Sequence, residues 1–253
     1  MRVSFMLRCA LLRAPLHASL RSAFVSRLVP ALAAALLPIA PASAQVGYMP
    51  DKSPYEDFKI GQTLTIMGGW MNMRRDPANV APDANWMAAL RYDIGVGGPA
   101  SLFARYVASP SERNLLVPSN TQATRVIARP SVTTHMADLG LDVSLTGRKT
   151  YRRFMPSVNG GIGVVSDFAS ADTGSYQFGA KFSFSYGFSL RYLPRRGPQL
   201  RVDFTNFIWQ YQYPDRYFVL ANDTTSVLRR ASEQSAWRGN WGVSAGVSVP
   251  LFR

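Results

Sequence analysis

Residues 176–192 read YQFGAKFSFSYGFSLRY. The even positions carry Tyr176, Phe178, Ala180, Phe182, Phe184, Tyr186, Phe188, Leu190 and Tyr192. The odd positions carry Gln177, Gly179, Lys181, Ser183, Ser185, Gly187, Ser189 and Arg191. Successive side chains of a strand point to opposite faces, so a strand here has one aromatic face and one small, polar face. A helix would scatter the same rings around its circumference. The aromatic face needs apolar surroundings. These are either the core of a soluble, lipocalin-like carrier or the lipid around a membrane barrel, whose interior then takes the Gly/Ser/Lys face.

Working outward, the same alternation recurs near residues 61–72, 85–93, 100–108, 133–146, 151–165, 199–211 and 237–252. Between them, long polar loops (73–84, 109–132, 166–175 and 212–236) alternate with tight turns (95–99, 147–150 and 194–198). Short turns at one end and longer loops at the other are the layout of outer-membrane barrels, and an even strand number puts both ends on the short-turn side. The predicted fold class is therefore all-β, an eight-stranded antiparallel up-and-down transmembrane β-barrel.

Volume separates lipid from core. Residues 176–192 alone bring four Phe and three Tyr. An eight-stranded barrel encloses only modest side chains or one small ligand, so the rings belong outside and the Gly and Ser fill the lumen. Aromatic residues also gather at strand ends, as an interfacial girdle requires. Trp70, Trp86, Tyr106, Tyr176, Trp237 and Trp241 fall at the long-loop end, and Tyr92, Phe154, Tyr192 and Phe252 at the other.

The 253-residue chain has a net charge of +13. Residues 1–44 read as a cleaved signal peptide. Arg2, Arg8, Arg13, Arg21 and Arg27 lead into the apolar stretch 28–37, and Ala42-Ser43-Ala44 forms a small-x-small cleavage pattern before Gln45. Removing those five arginines from the 28 basic residues leaves 23 against 15 acidic ones, or +8. An exported chain with that balance is not read as a nucleic-acid binder. Residues 45–60 read as an irregular periplasmic lead-in, and 61–253 as the barrel. Cys9 is the only cysteine and lies in the leader, so the exported chain holds no disulfide.

The layout resembles the small outer-membrane barrels of the OmpA and OmpX type over residues 61–253. The final strand carries the more specific likeness. Ser244, Gly246, Val249, Leu251 and Phe252 resemble the C-terminal assembly signal of that family, although Pro250 interrupts it and Arg253 follows the aromatic. The resemblance implies a Gram-negative outer-membrane location, the barrel-assembly machinery as a partner, and outer-membrane lipid and lipopolysaccharide as surroundings.

Ten charged residues fall on lumen faces: Arg91, Asp93, Arg105, Asp138, Asp142, Arg153, Lys181, Arg191, Arg201 and Asp203. Charges in a narrow interior must pair or stay hydrated. They predict a plug of ion pairs, with a narrow, slightly anion-preferring pore as the alternative. Arg74, Arg75, Arg113, Arg125, Arg129, Arg216, Arg229 and Arg230 lie in the long loops, where they can meet lipopolysaccharide phosphates or an extracellular ligand. Arg148, Lys149, Arg152 and Arg153 also cluster at one short turn, and Arg195 and Arg196 at another.

His135 is the one histidine after the leader. Lipid A deacylases, which resemble this barrel, carry a His-x-Ser pair on one strand. Here the third position is Ala137, and neither Ser131 nor Ser166 is placed beside His135 by its spacing. A metal site on a single histidine without cysteine is not expected. The sequence thus predicts no catalytic centre, metal or cofactor. It predicts a non-enzymatic barrel with a structural or surface-interaction role. A narrow pore, a lipid-modifying enzyme and a soluble carrier are the alternatives.

Overall fold

A computed structural model describes residues 53–58 and 61–252 of the chain. The predicted signal peptide lies outside the described residues. The strands are β1 Tyr55–Asp57, β2 Gln62–Asn72, β3 Asn85–Gly97, β4 Ala100–Glu112, β5 Leu115–Leu116 and β6 Val126–Ala128. They continue as β7 Ser131–Ser144, β8 Lys149–Tyr151, β9 Phe154–Ser166, β10 Lys181–Tyr192, β11 Gln199–Gln212 and β12 Ser235–Phe252. Eight long strands pair antiparallel in the order β2-β3-β4-β7-β9-β10-β11-β12, and β12 pairs back onto β2. Every long strand has two neighbours, so the barrel leaves no edge.

The side chains sort as the alternation predicts. Ile66, Leu90, Leu139, Ile162, Phe184 and Phe204 are exposed, while Thr65, Arg91, Asp138, Asn159, Ser185 and Asp203 are buried on the opposite face. Ile66 and Leu139 expose 68% and 65% of their surface, which water would penalise and lipid does not. Trp70 and Trp86 face each other across β2–β3 at the long-loop rim, with Trp237 and Trp241 nearby on β12. Phe154 and Tyr192 pair at the short-turn rim, their rings 5.2 Å apart.

Glycine on the lumen face leaves room for the backbone of the neighbouring strand. A Cβ on Gly163 would strike the Ala137 carbonyl and the Asp138 backbone. One on Gly140 would strike the Gly160 carbonyl and Phe103.

Three features depart from the sequence reading. The lead-in is not wholly irregular, because β1 pairs with β8 below the barrel wall. The stretch 176–192 is not one strand. β10 begins at Lys181, and Gly179 adopts φ +63, a left-handed conformation that glycine takes without a Cβ clash. That kink reverses the phase. Tyr176 and Phe178 turn inward, at 1% and 3% exposure, so Tyr176 is not part of the girdle. Finally, Arg152 and Arg153 both take positive φ between β8 and β9. Arg153 therefore sits in a short turn, away from the lumen.

Candidate functional site: a filled lumen and a knitted rim

The lumen is layered, and the strands dictate the layers. On β3, Arg91 and Asp93 share a face, as do Arg201 and Asp203 on β11, because a spacing of two residues repeats the orientation. Asp142 on β7 and Arg191 on β10 reach the same level. Arg91 Nη2 donates to Asp142 Oδ2 at 2.6 Å and its Nε donates to Asp93 Oδ1 at 3.0 Å. Arg201 donates to Asp203 (2.6 Å), Asp142 (2.8 Å), Asp93 (3.4 Å) and the Ser189 hydroxyl (2.8 Å). Arg191 lies 3.0 Å from Asp93. Three guanidinium groups thus meet three carboxylates, all buried, and the layer is neutral.

Above it, Arg105 grips Asp138 with Nε and Nη2 and donates to Thr205 Oγ1 at 3.0 Å. Ser185 Oγ also donates to Asp138. The Arg105 guanidinium lies over the Phe207 ring, 4.7 Å from its centre, a cation–π contact that closes this layer against the next. The upper third is apolar, formed by Met67, Met71, Met87, Met136, Phe207 and Trp209, among others.

The structure brings together Arg91, Asp93, Asp142, Arg191, Arg201 and Asp203, and separately Arg105 with Asp138. It does not bring in Arg153, for the reason given above. Lys181 faces the lumen side at the long-loop end of β10 but forms no ion pair among the described residues. In the last strand, Ser244 is buried and Gly246 packs against Met67, while Val249 and Leu251 face outward. Phe252 pairs with Gln62 across a register shift beside Pro250, which cannot donate to the ladder.

The long loops are tied to one another over the barrel mouth. Asp76 accepts the Ala78 and Ala81 amides and the Tyr213 hydroxyl, the last at 2.6 Å. Arg113 pairs with Asp172 at 3.1 Å and lies over the Tyr176 ring. Arg125 donates to the carbonyls of Thr225 and Ser226, and the Gln122 amide donates to Asp223 at 2.7 Å. The hydrogen bonds from the Thr225 hydroxyl and the Gln122 amide hold the pKa of the Asp223 carboxyl down to about 2. Arg113 and Arg125 are consequently buried. They serve the loops and are not free for an outside ligand, unlike the exposed Arg74, Arg75, Arg129, Arg216, Arg229 and Arg230.

Under this cap the rings of Tyr176, Tyr213 and Tyr217 lie nearly parallel, with centres 6.0–6.3 Å apart. Burial pushes all three phenols up, and the Asp76 carboxylate pushes Tyr213 further. A raised phenol stabilises the fold fully below the unfolded value of about 10, and that contribution is lost as pH rises above it. In an absorbance titration at alkaline pH, these three tyrosines are expected to ionise only as the cap opens, above the range of an ordinary phenol. Tyrosinate appearing in a single early step for every tyrosine would contradict this.

The long-loop rim also holds a recess of about 720 Å³ between the 73–84 loop and the β11–β12 wall. Arg74, Arg75, Asn206, Ile208, Gly239 and Trp241 help line it. Asn206 Nδ2 donates to the Tyr186 hydroxyl at 2.9 Å, while its buried Oδ1 has no partner among the described residues.

Eight strands closed on themselves, an apolar band outside and paired charges inside settle the architecture. The chain has the fold of the small outer-membrane barrels. No protein-family model matches the sequence, and no curated protein matches it significantly. Among solved structures it is similar to Ail, the attachment invasion locus protein of Yersinia pestis. The identity is 14%, the TM-score 0.35, and the match covers 75% of this chain and 100% of that one. It is also similar to a major outer membrane protein from Thermus thermophilus, at 9% identity and TM-score 0.35, with the same coverage. These are likenesses of fold alone.

Two placements were beyond sequence reasoning. One is the aromatic and methionine layer at the top of the lumen. The other is Ser166, which lies directly opposite His135 in the β7–β9 ladder.

Proposed function

We propose that this is an exported outer-membrane barrel that acts through its surface, with its long loops outside the cell, and that it holds outer-leaflet glycolipid at its rim. The observation that carries the reading is the filled lumen. Buried ion pairs occupy its lower two layers and a methionine–aromatic layer its top, which leaves surface interaction rather than passage as its use. Knitting the loops into a fixed cap pre-organises whatever they hold, which lowers the entropic cost of binding.

The rim recess suits a phosphorylated saccharide headgroup. Arg74 and Arg75 supply forked donors for phosphate. Asn206 Oδ1 can accept from a sugar hydroxyl, and Trp241 offers a ring face at the level of the sugar–acyl boundary. A cleaved signal peptide and recognition of the final strand by the barrel-assembly machinery belong to the same reading.

The test has two arms. In planar bilayers the purified barrel is expected to give no stepwise conductance; steady unitary currents would overturn the filled-lumen reading. Lipopolysaccharide retained on the detergent-extracted barrel is expected to fall at least about tenfold, or ~1.4 kcal/mol, when Arg74→Ala and Arg75→Ala are combined. Unchanged retention would remove the glycolipid role.

A further inference from the structure

Two consecutive arginines form a hairpin tip at the short-turn end of the barrel. Arg152 and Arg153 join β8 to β9, with Tyr151 and Phe154 paired across the turn. Both arginines take positive φ, +48 and +71. A two-residue hairpin of that geometry favours Asn-Gly, because a Cβ crowds the left-handed backbone. Arginine at both positions therefore strains the turn, and such strain concentrates at functional sites. The hairpin is nonetheless held on both sides. The Arg152 amide donates to the Pro54 carbonyl and the Leu193 amide to the Arg153 carbonyl, each at 2.8 Å. The second bond ties the hairpin to the β10–β11 turn, which carries Arg195 and Arg196.

Positive charge gathers at the same end. Arg148, Lys149, Arg152, Arg195 and Arg196 are exposed, and Arg153 is half-buried. The carboxylates beside them among the described residues are Glu56 and Asp57 of β1. Glu56 pairs with Arg195 at 3.1 Å, and Asp57 lies across the ladder from Lys149. Arg148, Arg152, Arg153 and Arg196 form no ion pair among the described residues. Rings mark the depth of these cations. Phe154 and Tyr192 lie 5.2 Å apart, and Tyr55 and Tyr151 lie 5.4 Å apart. The aromatic girdle of a membrane barrel sits at the headgroup boundary. Arg152 and Arg153 stand between Tyr151 and Phe154 in the chain, so their guanidinium groups fall at the level of lipid phosphates. The Arg152 guanidinium lies over the Tyr151 ring, 5.6 Å from its centre. A guanidinium stacked on a ring keeps N–H groups at its edge to fork onto a phosphate.

We propose that this end of the barrel is a docking surface for anionic phospholipid. Arg152 and Arg153 hold the phosphate diester of a headgroup, and Arg148 and Arg196 add positive charge beside them. The outward rings of Phe154 and Tyr192 lie against the first acyl carbons. The strained turn places two cations at one tip, which an Asn-Gly hairpin would not. The partner is a lipid surface rather than an acidic protein because the cations sit at the girdle. They are also bonded to the neighbouring turn and to β1, not carried away from the bilayer on a projecting loop. The inference takes its orientation from the reading above, in which the short turns face the inner leaflet, and does not use the glycolipid recess at the opposite end.

The test adds phosphatidylglycerol or phosphatidylethanolamine to the delipidated, folded barrel in micelles and counts bound lipid by native mass spectrometry. Phosphatidylglycerol is expected to bind at least about tenfold more tightly, since each arginine near the surface adds attraction for an anionic headgroup. Arg152→Asn combined with Arg153→Gly is expected to bring that preference to within about twofold. The pair suits the turn, so this variant is expected to unfold in urea no earlier than the native barrel, and lost binding is then not lost folding. It is also expected to retain lipopolysaccharide at the native level, so that failure here and failure of the glycolipid role are read separately. Arg148→Gln combined with Arg196→Gln leaves the hairpin untouched and is expected to reduce the preference about threefold. No preference in the native barrel, or a preference that survives loss of both hairpin arginines, would overturn the proposal. Binding of soluble polyglutamate without any lipid preference would assign the surface to an acidic protein and overturn it as well.

Discussion

Replacing Arg201 with Ala is expected to lower the stability of the folded barrel by about 3–5 kcal/mol, the cost of leaving buried charge uncompensated. Arg201 touches all three carboxylates of the lower layer. Without it, Arg91 and Arg191 face Asp93, Asp142 and Asp203 in a space closed to water. The double change Arg201→Ala with Asp203→Ala removes one charge of each sign and is expected to be milder than Arg201→Ala alone, because the layer stays neutral. Urea unfolding in micelles, followed by tryptophan fluorescence and by the electrophoretic shift on boiling, measures both. If the single variant unfolds at the midpoint of the native protein, the layer is not what stiffens the wall.

This layer was legible in the sequence because its grammar is local. Arg91 and Asp93, and Arg201 and Asp203, sit two residues apart on strands whose outward residues are plainly apolar, so their common face follows from the backbone alone. Arg105 and Asp138 required only that adjacent strands pair, and they do so directly. Arg153 was misread because two consecutive left-handed arginines make a turn that no Gly or Asn announces. Lys181 has the lumen parity, but the level of a side chain along the barrel is set by strand register and not by parity.

Register also hid the His135–Ser166 pair. These residues are brought together by the register of β9 against β7. None of that is written in the spacing of a single strand. The phase change at Gly179 was equally silent. Alternation of aromatic and small residues continues through Tyr176 and Phe178, yet a one-residue shift sends those rings to the opposite side.

Trp209→Ala is expected to cost about 3–5 kcal/mol and to act first on the long-loop cap. Trp209 is fully buried on the inward face of β11, with Phe178 edge-on at 6.4 Å and Tyr211 at 6.2 Å. It forms the floor on which the inward-turned 176–178 segment rests, and through that segment it supports Tyr213, Tyr217 and the Arg113–Asp172 pair. Its indole Nε1 has no hydrogen-bond partner among the described residues, so the loss is one of packing. Trp209→Phe keeps most of the volume and is therefore expected to cost less than about 1.5 kcal/mol. Limited proteolysis distinguishes where the loss falls. In Trp209→Ala, cleavage within 113–130 and 213–234 is expected to accelerate while the strands below Arg105 stay protected, because the ionic layers do not touch the indole. Uniform digestion of the whole barrel would mean that the aromatic layer holds the strands together rather than the loops. Unchanged digestion would mean that the cap rests on its own hydrogen bonds, from Asp76 to Tyr213 and from Arg125 to Thr225.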